Sequence, residues 1–123
     1  MVRQYAQVVG VVIVLIGVGG LLLGEQSLLG VLNIDLVEDI VHLVTGGLMA
    51  YVGFAMRDTA TVRNVVGGLG VVYLLVVVLG FISPTLFGLL PHGYSVVDHL
   101  IHLALGALGI AVGWFLGRDR ATV

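Results

Sequence analysis

The residues best equipped to hold a metal ion or move a proton are four histidines and seven carboxylates. Their spacing repeats. Glu38-Asp39 precedes His42-Leu43 and Gly46 in the first half, and Asp98-His99 precedes His102-Leu103 and Gly106 in the second. Each half therefore carries a carboxylate, then a His and then a Gly at successive four-residue steps, which stacks all three on one face of a helix. The correspondence extends to Leu28-Leu29-Gly30-Val31-Leu32 against Leu86-Phe87-Gly88-Leu89-Leu90, and to Val8-Val9-Gly10 against Val65-Val66-Gly67. A period close to half the chain indicates a tandem duplication of one supersecondary unit.

Three chemistries suit that pattern. In the first, a divalent metal is held by Glu38, His42, Asp98 and His102, with Asp39 and His99 as alternates one position round the helix. Mixed imidazole and carboxylate donors suit zinc, iron or manganese, and facing helices of a bundle present them at such spacings. In the second, His42 and His102 are axial ligands of a haem; the objection is that every arginine lies at the opposite membrane face, so propionates would meet Glu38, Asp39 and Asp98 without a cationic partner. In the third, each imidazole is satisfied by a carboxylate or carbonyl and the layer pins the helices together, and this is the reading that the sequence favours. Asp35-x-x-Glu38 and Ser95-x-x-Asp98 also resemble capping boxes, and Asp39 near a helix N-terminus is favourable by charge alone.

The remaining polar groups read as structural. His92, beside Pro91, is expected in an exposed loop, and Tyr51, Tyr73 and Thr45 are expected to pack or to hydrogen-bond between helices. Gly67-Gly68-Leu69-Gly70 lies inside an apolar run and is not a nucleotide loop. No nucleophile with an adjacent base appears, nor any phosphate-binding motif, so no catalytic residue is assigned and the chain is not expected to be an enzyme. The absence of cysteine excludes disulfides and thiolate metal sites.

The elements that position these residues must cross a membrane. Hydrophobic residues are 59% of the chain and charged residues 10%, with a mean hydropathy of +1.20, far from soluble composition. Four apolar runs, about 6–23, 40–56, 65–82 and 96–116, each approach the roughly 17–25 residues that span a hydrocarbon core. The expected fold is all-α: one transmembrane domain over 1–123, a four-helix bundle built from two hairpins, 1–60 and 61–123. Arg3 before the first run resembles a secretory signal, but no small-residue cleavage signature follows, so that helix is expected to be retained. Arg3, Arg57, Arg63, Arg118 and Arg120 all fall at one face, so both termini are expected in the cytoplasm; the expected location is the plasma membrane of a prokaryotic cell. The acids and histidines then lie toward the outer face, with His42 and His102 about 10 Å along their helices from the caps. Tyr5 and Trp114 fit the inner aromatic belt and Tyr94 the outer one.

Gly10, Gly17 and Gly24 at heptad spacing, and Gly109, Gly113 and Gly117 every fourth residue, read as seams where helices approach closely in lipid. The apolar stretches Leu28 to Leu32 and Leu86 to Leu90, ending at Asn33 and Pro91, are expected as amphipathic segments lying in the outer interface, with a pore-lining re-entrant loop as the alternative. Residues 57–64 read as a solvated turn.

At the duplicated unit the chain resembles an uncharacterised family of small four-helix prokaryotic membrane proteins, the domain of unknown function 4383 type. The resemblance rests on an acid, two apolar residues and His-Leu-x-x-Gly, seen at Glu38 to Gly46 and Asp98 to Gly106, with Asp39 and His99 where an amide is usual. It covers nearly the whole chain, and it implies the fold and the membrane location but no activity. The expected function is a non-enzymatic structural or accessory role, with divalent-metal binding or small-ion transport as the alternative and bis-His haem binding as a lesser one. Expected partners are the lipid bilayer and a second copy or another membrane protein at the Gly-rich faces, with no nucleic acid.

Overall fold

A computed structural model describes residues 1–23, 27–28, 32–33, 36–83, 85, 87–88 and 96–116. Four long helices dominate them: α1 (Val2–Leu23), α2 (Leu36–Ala55), α3 (Thr59–Ile82) and α4 (Val96–Ile110), the last continuing into a π-helical turn, Ala111–Phe115. All four are long and apolar enough to cross a membrane, the fourth counted through Phe115. Side chains such as Leu15, Leu22, Phe54, Leu75 and Phe81 are exposed on the protein surface, as a lipid-facing bundle requires, because lipid and not the protein solvates them.

Helices α1, α2 and α3 start several residues before the apolar runs at 6, 40 and 65 would suggest, whereas α4 starts at 96 as expected; polar side chains finish helix ends. Asp58, an extended residue, accepts hydrogen bonds from the Ala60 N–H at 3.2 Å and the Thr61 hydroxyl at 2.7 Å, capping α3. Residues 57–64, expected as a turn, are therefore mostly the first turns of α3, and only Met56 to Asp58 connect it to α2. Arg3 lies against the other end of that connection, donating to the carbonyls of Gly53, Met56 and Arg57. Arg63 does the same for α4, donating to Gly113 O at 2.8 Å and Trp114 O at 3.4 Å. Cationic donors at helix C-termini satisfy orphan carbonyls and complement the helix dipole.

Packing is tightest within hairpins, α1 on α2 and α3 on α4. Glycine allows it. A Cβ at Gly46 would stand 2.8 Å from Val14 N on α1, and one at Gly113 would stand 2.6 Å from Gly67 N on α3. Gly10, Gly17 and Gly109 also lie on these seams; Gly24 and Gly117 fall outside the described residues. The hairpins meet through an apolar cluster of Val2, Ala6, Met49, Val52, Val62, Val66, Leu69 and Val112. By sequence these belong to the start of α1 and α3 and to the far halves of α2 and α4, so the apolar core sits toward the arginine-bearing end. Tyr5 packs against that cluster, and the Trp114 indole lies over Gly67 and donates to Asn64 Oδ1 at 3.2 Å.

At the opposite end, β1 (Ser27–Leu28) and β2 (Leu32–Asn33) pair as a short antiparallel ladder, with Leu28 opposite Leu32 and Ser27 opposite Asn33; residues 29–31 of the Leu28 to Leu32 stretch lie outside the described residues. Pairing gives each strand's backbone groups partners that a lone extended segment would lack. Glu25, Arg118, Arg120, Tyr94 and most of 86–90 lie outside the described residues.

Candidate metal centre

Glu38 and Asp98 are each the third residue of their helices, α2 and α4. There the unsatisfied N–H groups of a helix N-terminus favour negative charge. One turn further, about 6 Å along the axis, stand His42 and His102. Polar groups at this depth are costly unless they find partners, and the fold turns them inward: Glu38, Asp98 and His102 are about 5% exposed or less, and His42 is half-buried.

The structure brings three of the four expected ligands into one group. Glu38 Oε1 stands 3.7 Å from His102 Nε2 and 4.0 Å from His42 Nε2, and one donor atom from each residue lies within 4.8 Å of the others. Glu38 and His42 come from the first hairpin and His102 from the second. The group thus bridges the hairpins at the end remote from the apolar core. The fourth, Asp98, is outside this trio, although its carboxylate is within electrostatic reach of both imidazoles.

The alternates point elsewhere. Asp39 is buried against α1, its carboxylate covering Gly20 so closely that no Cβ would fit there. His99 stacks on Phe81 of α3, ring centroids 4.5 Å apart and planes 15° from parallel. Each lies about 100° round its helix from the ligand face, which is enough to take it out of the group. Asp35, Ser95 and His92 lie outside the described residues.

Two further side chains border the group. Tyr73 of α3 lies beside the His102 ring, centroids 5.8 Å apart and planes within 22°. Its hydroxyl is 2.7 Å from Thr45 Oγ1, and Thr45 in turn donates to Val41 O at 2.8 Å. The sequence marks both residues only as hydrogen-bonding groups. The signal that would have placed Thr45 here is its position three residues after His42, on the same helix face. Tyr51 is exposed on the lipid side.

The separations decide which ligand fits. At 3.7 and 4.0 Å the Glu38–imidazole pairs exceed hydrogen-bond reach. They are within a few tenths of an ångström of the roughly 3.3–3.6 Å edge of a tetrahedron whose metal–ligand bonds are about 2.0–2.2 Å. A haem fits poorly. The two imidazole centroids are 6.2 Å apart, but Glu38 Oε1, within 4.0 Å of both Nε2 atoms, occupies the space where a porphyrin between the rings would have to lie.

Fold and site together define a four-span helical membrane protein with a buried Glu/His/His group that could hold a metal ion. Residues 3–115 match the domain of unknown function DUF4383, and the chain belongs to that family. Neither a curated protein nor a solved structure matches it.

Proposed function

We propose that this is a non-enzymatic integral membrane protein that binds one divalent transition-metal ion between its hairpins, through Glu38, His42 and His102. The observation that carries this reading is the placing of two imidazole nitrogens at 3.7 and 4.0 Å from one buried carboxylate oxygen, spaced as ligands around an ion rather than as hydrogen-bonded partners. Two imidazoles and a carboxylate suit zinc, iron or manganese, and Asp98 is the candidate for a fourth donor. A structural or accessory role follows from position: the ion would join two hairpins that elsewhere meet through apolar side chains.

Two features of the setting belong to the same proposal. The hairpins are read as duplicated units. In support, Gly46 meets Ile13 and Val14 while Gly106 meets Gly70 and Leu74, and Gly53 meets Gln7 while Gly113 meets Arg63 and Gly67. The arginine-bearing end is read as cytoplasmic, on the charge asymmetry of the short loops, which puts the metal group near the outer face of a prokaryotic plasma membrane.

Metal content of the detergent-purified chain tests the proposal. After loading with zinc, iron or manganese and desalting, wild type is expected to retain about one ion per chain, and a His42→Ala/His102→Ala variant none, as elemental analysis would read it. Ligating imidazole must be neutral, so protons compete with the ion and retention is expected to fall as pH is lowered. Wild type that holds no more metal than the double variant overturns the reading.

A further inference from the structure

We infer that Tyr73 is the positioning residue of the metal group, a strut from α3 that fixes both the orientation of His102 and its distance from Glu38 and His42. The inference rests on the metal reading for its purpose, and on separate geometry for its existence.

The direction of the hydrogen bonds can be worked out. Thr45 has a single hydroxyl proton, and it is donated to Val41 O at 2.8 Å. The 2.7 Å contact between Thr45 Oγ1 and Tyr73 must then be made with the proton of the tyrosine. The chain runs Tyr73 O–H to Thr45 O–H to Val41 C=O, and it ends on the backbone of α2 one residue before His42. Both side chains are buried, at 3% and 8% exposure, so water does not compete and each bond is stronger than at a surface.

The other face of Tyr73 supports His102. The rings are nearly parallel at 5.8 Å, so the imidazole cannot swing toward α3 without meeting the phenol. Tyr73 thereby holds three helices in register. Its backbone belongs to α3, its hydroxyl is tied to α2, and its ring limits a ligand borne on α4. Glu38 and His42 share the helix to which the strut is anchored, while His102 does not. The span between the two sets of donors is therefore set by this one side chain at the inner boundary of the group. Outer partners that orient a ligating imidazole commonly change metal affinity about 10–100-fold when removed.

Conservative variants test this on the full chain in detergent. Tyr73→Phe removes the proton donor and keeps the ring; Thr45→Val removes the relay; Thr45→Ser retains it. Zinc affinity by chelator competition is expected to weaken about 10–100-fold in Tyr73→Phe and in Thr45→Val, to be restored in Thr45→Ser, and to be no weaker in the Tyr73→Phe/Thr45→Val double variant than in either single one, because both cut the same chain. The visible absorption of bound cobalt is expected to change in the same two variants, reporting altered ligand geometry, which a general loss of stability would not produce. Wild-type affinity and an unchanged cobalt spectrum in Tyr73→Phe and Thr45→Val overturn the inference. A wild type that binds neither zinc nor cobalt overturns the metal reading instead. The strut is then judged in the metal-free chain by nuclear magnetic resonance of the His102 ring, whose signals are expected to shift in Tyr73→Phe and Thr45→Val; unchanged signals overturn it.

Discussion

Three pairs of adjacent glycines, Gly19-Gly20, Gly46-Gly47 and Gly67-Gly68, provide an internal control on how the hairpins are held. In each pair one glycine is pressed by a neighbour and the other has nothing within 4 Å of where a Cβ would stand. At Gly46 the added carbon would lie 2.8 Å from Val14 N, a backbone atom, whereas ordinary contact begins at 3.4 Å. Subtracting the two, α1 must retreat by at least about 0.6 Å, a gap that forfeits a quarter to a half of the dispersion energy of the contacts it opens. Overpacking of this kind costs about 1–3 kcal/mol. Gly47→Ala meets no neighbour and gains helix propensity, up to about 1 kcal/mol. The propensity gain is common to both alanines, so the two variants are expected to differ by the overpacking term, about 1–3 kcal/mol, with Gly46→Ala the less stable. Gly20→Ala should be harmful and Gly19→Ala benign, because only Gly20 lies beneath the Asp39 carboxylate. Gly67→Ala, like Gly20→Ala, meets a side chain rather than backbone, here the Trp114 indole; its expected signature is a shift in the emission of this sole tryptophan. Unfolding by sodium dodecyl sulfate in mixed micelles, followed by circular dichroism, measures the differences. If Gly47→Ala costs as much as Gly46→Ala, the seam is not held by close backbone approach and the reasoning fails.

Two other expectations concern the arginine-bearing end. Asp58 is fully exposed, and its carboxyl is held below the ordinary carboxylate range first by the Thr61 hydroxyl and then by the Ala60 N–H. A depressed folded-state value means that the cap stabilises α3 above the ordinary carboxylate pKa and loses that effect as pH falls through the folded one. Asp58→Ala should therefore unfold more readily than wild type at pH 7, with the difference shrinking below about pH 4; a difference independent of pH would show that the charged cap is not the cause. For orientation, a Cys at Thr59 in intact cells should react with membrane-impermeant maleimide only after lysis, and one at Gln26 without it. External labelling of Thr59 would reverse the assigned topology.

The membrane class and the four helices were legible because both follow from length and apolar content, which the chain states without ambiguity. Helix starts were not, since hydropathy ends where charge begins while the backbone ladder continues. At α3 it is Asp58 that begins the helix ahead of its apolar portion, by accepting from the Ala60 N–H and the Thr61 hydroxyl. The pairing of Leu28 with Leu32 escaped for a different reason. A five-residue apolar stretch with a central Gly is equally compatible with an interfacial segment and with a turn, and only long-range context chooses.

The site was legible as a composition and not as a geometry, and α2 shows why. Its inward surface holds two seams offset by one residue. Asp39, Leu43, Gly46, Ala50 and Gly53 face α1, meeting Gly17 and Gly20, Ile13, Gly10 and Gln7. Glu38, His42, Thr45, Met49 and Val52 face the second hairpin, meeting His102, Tyr73 and the apolar cluster. Both sets step by four and three residues alternately, the spacing that keeps a stripe on one side of a helix. Reading only i, i+4 steps from His42 runs directly onto Gly46 and merges the stripes, which is how Gly46 came to be expected on the ligand face. A related division recurs on α4, where His99, Gly106, Ile110 and Gly113 meet α3 while His102, beside Tyr73 of α3, also reaches Glu38 and His42 of the first hairpin. A displacement of one residue, about 100°, therefore separates a residue that helps close a hairpin from one that reaches across to the other. Asp39 and His99 have the right chemistry for a metal and the wrong seam for it. Glu38, His42 and His102 have both, and they gather at the end remote from the apolar cluster that joins the hairpins.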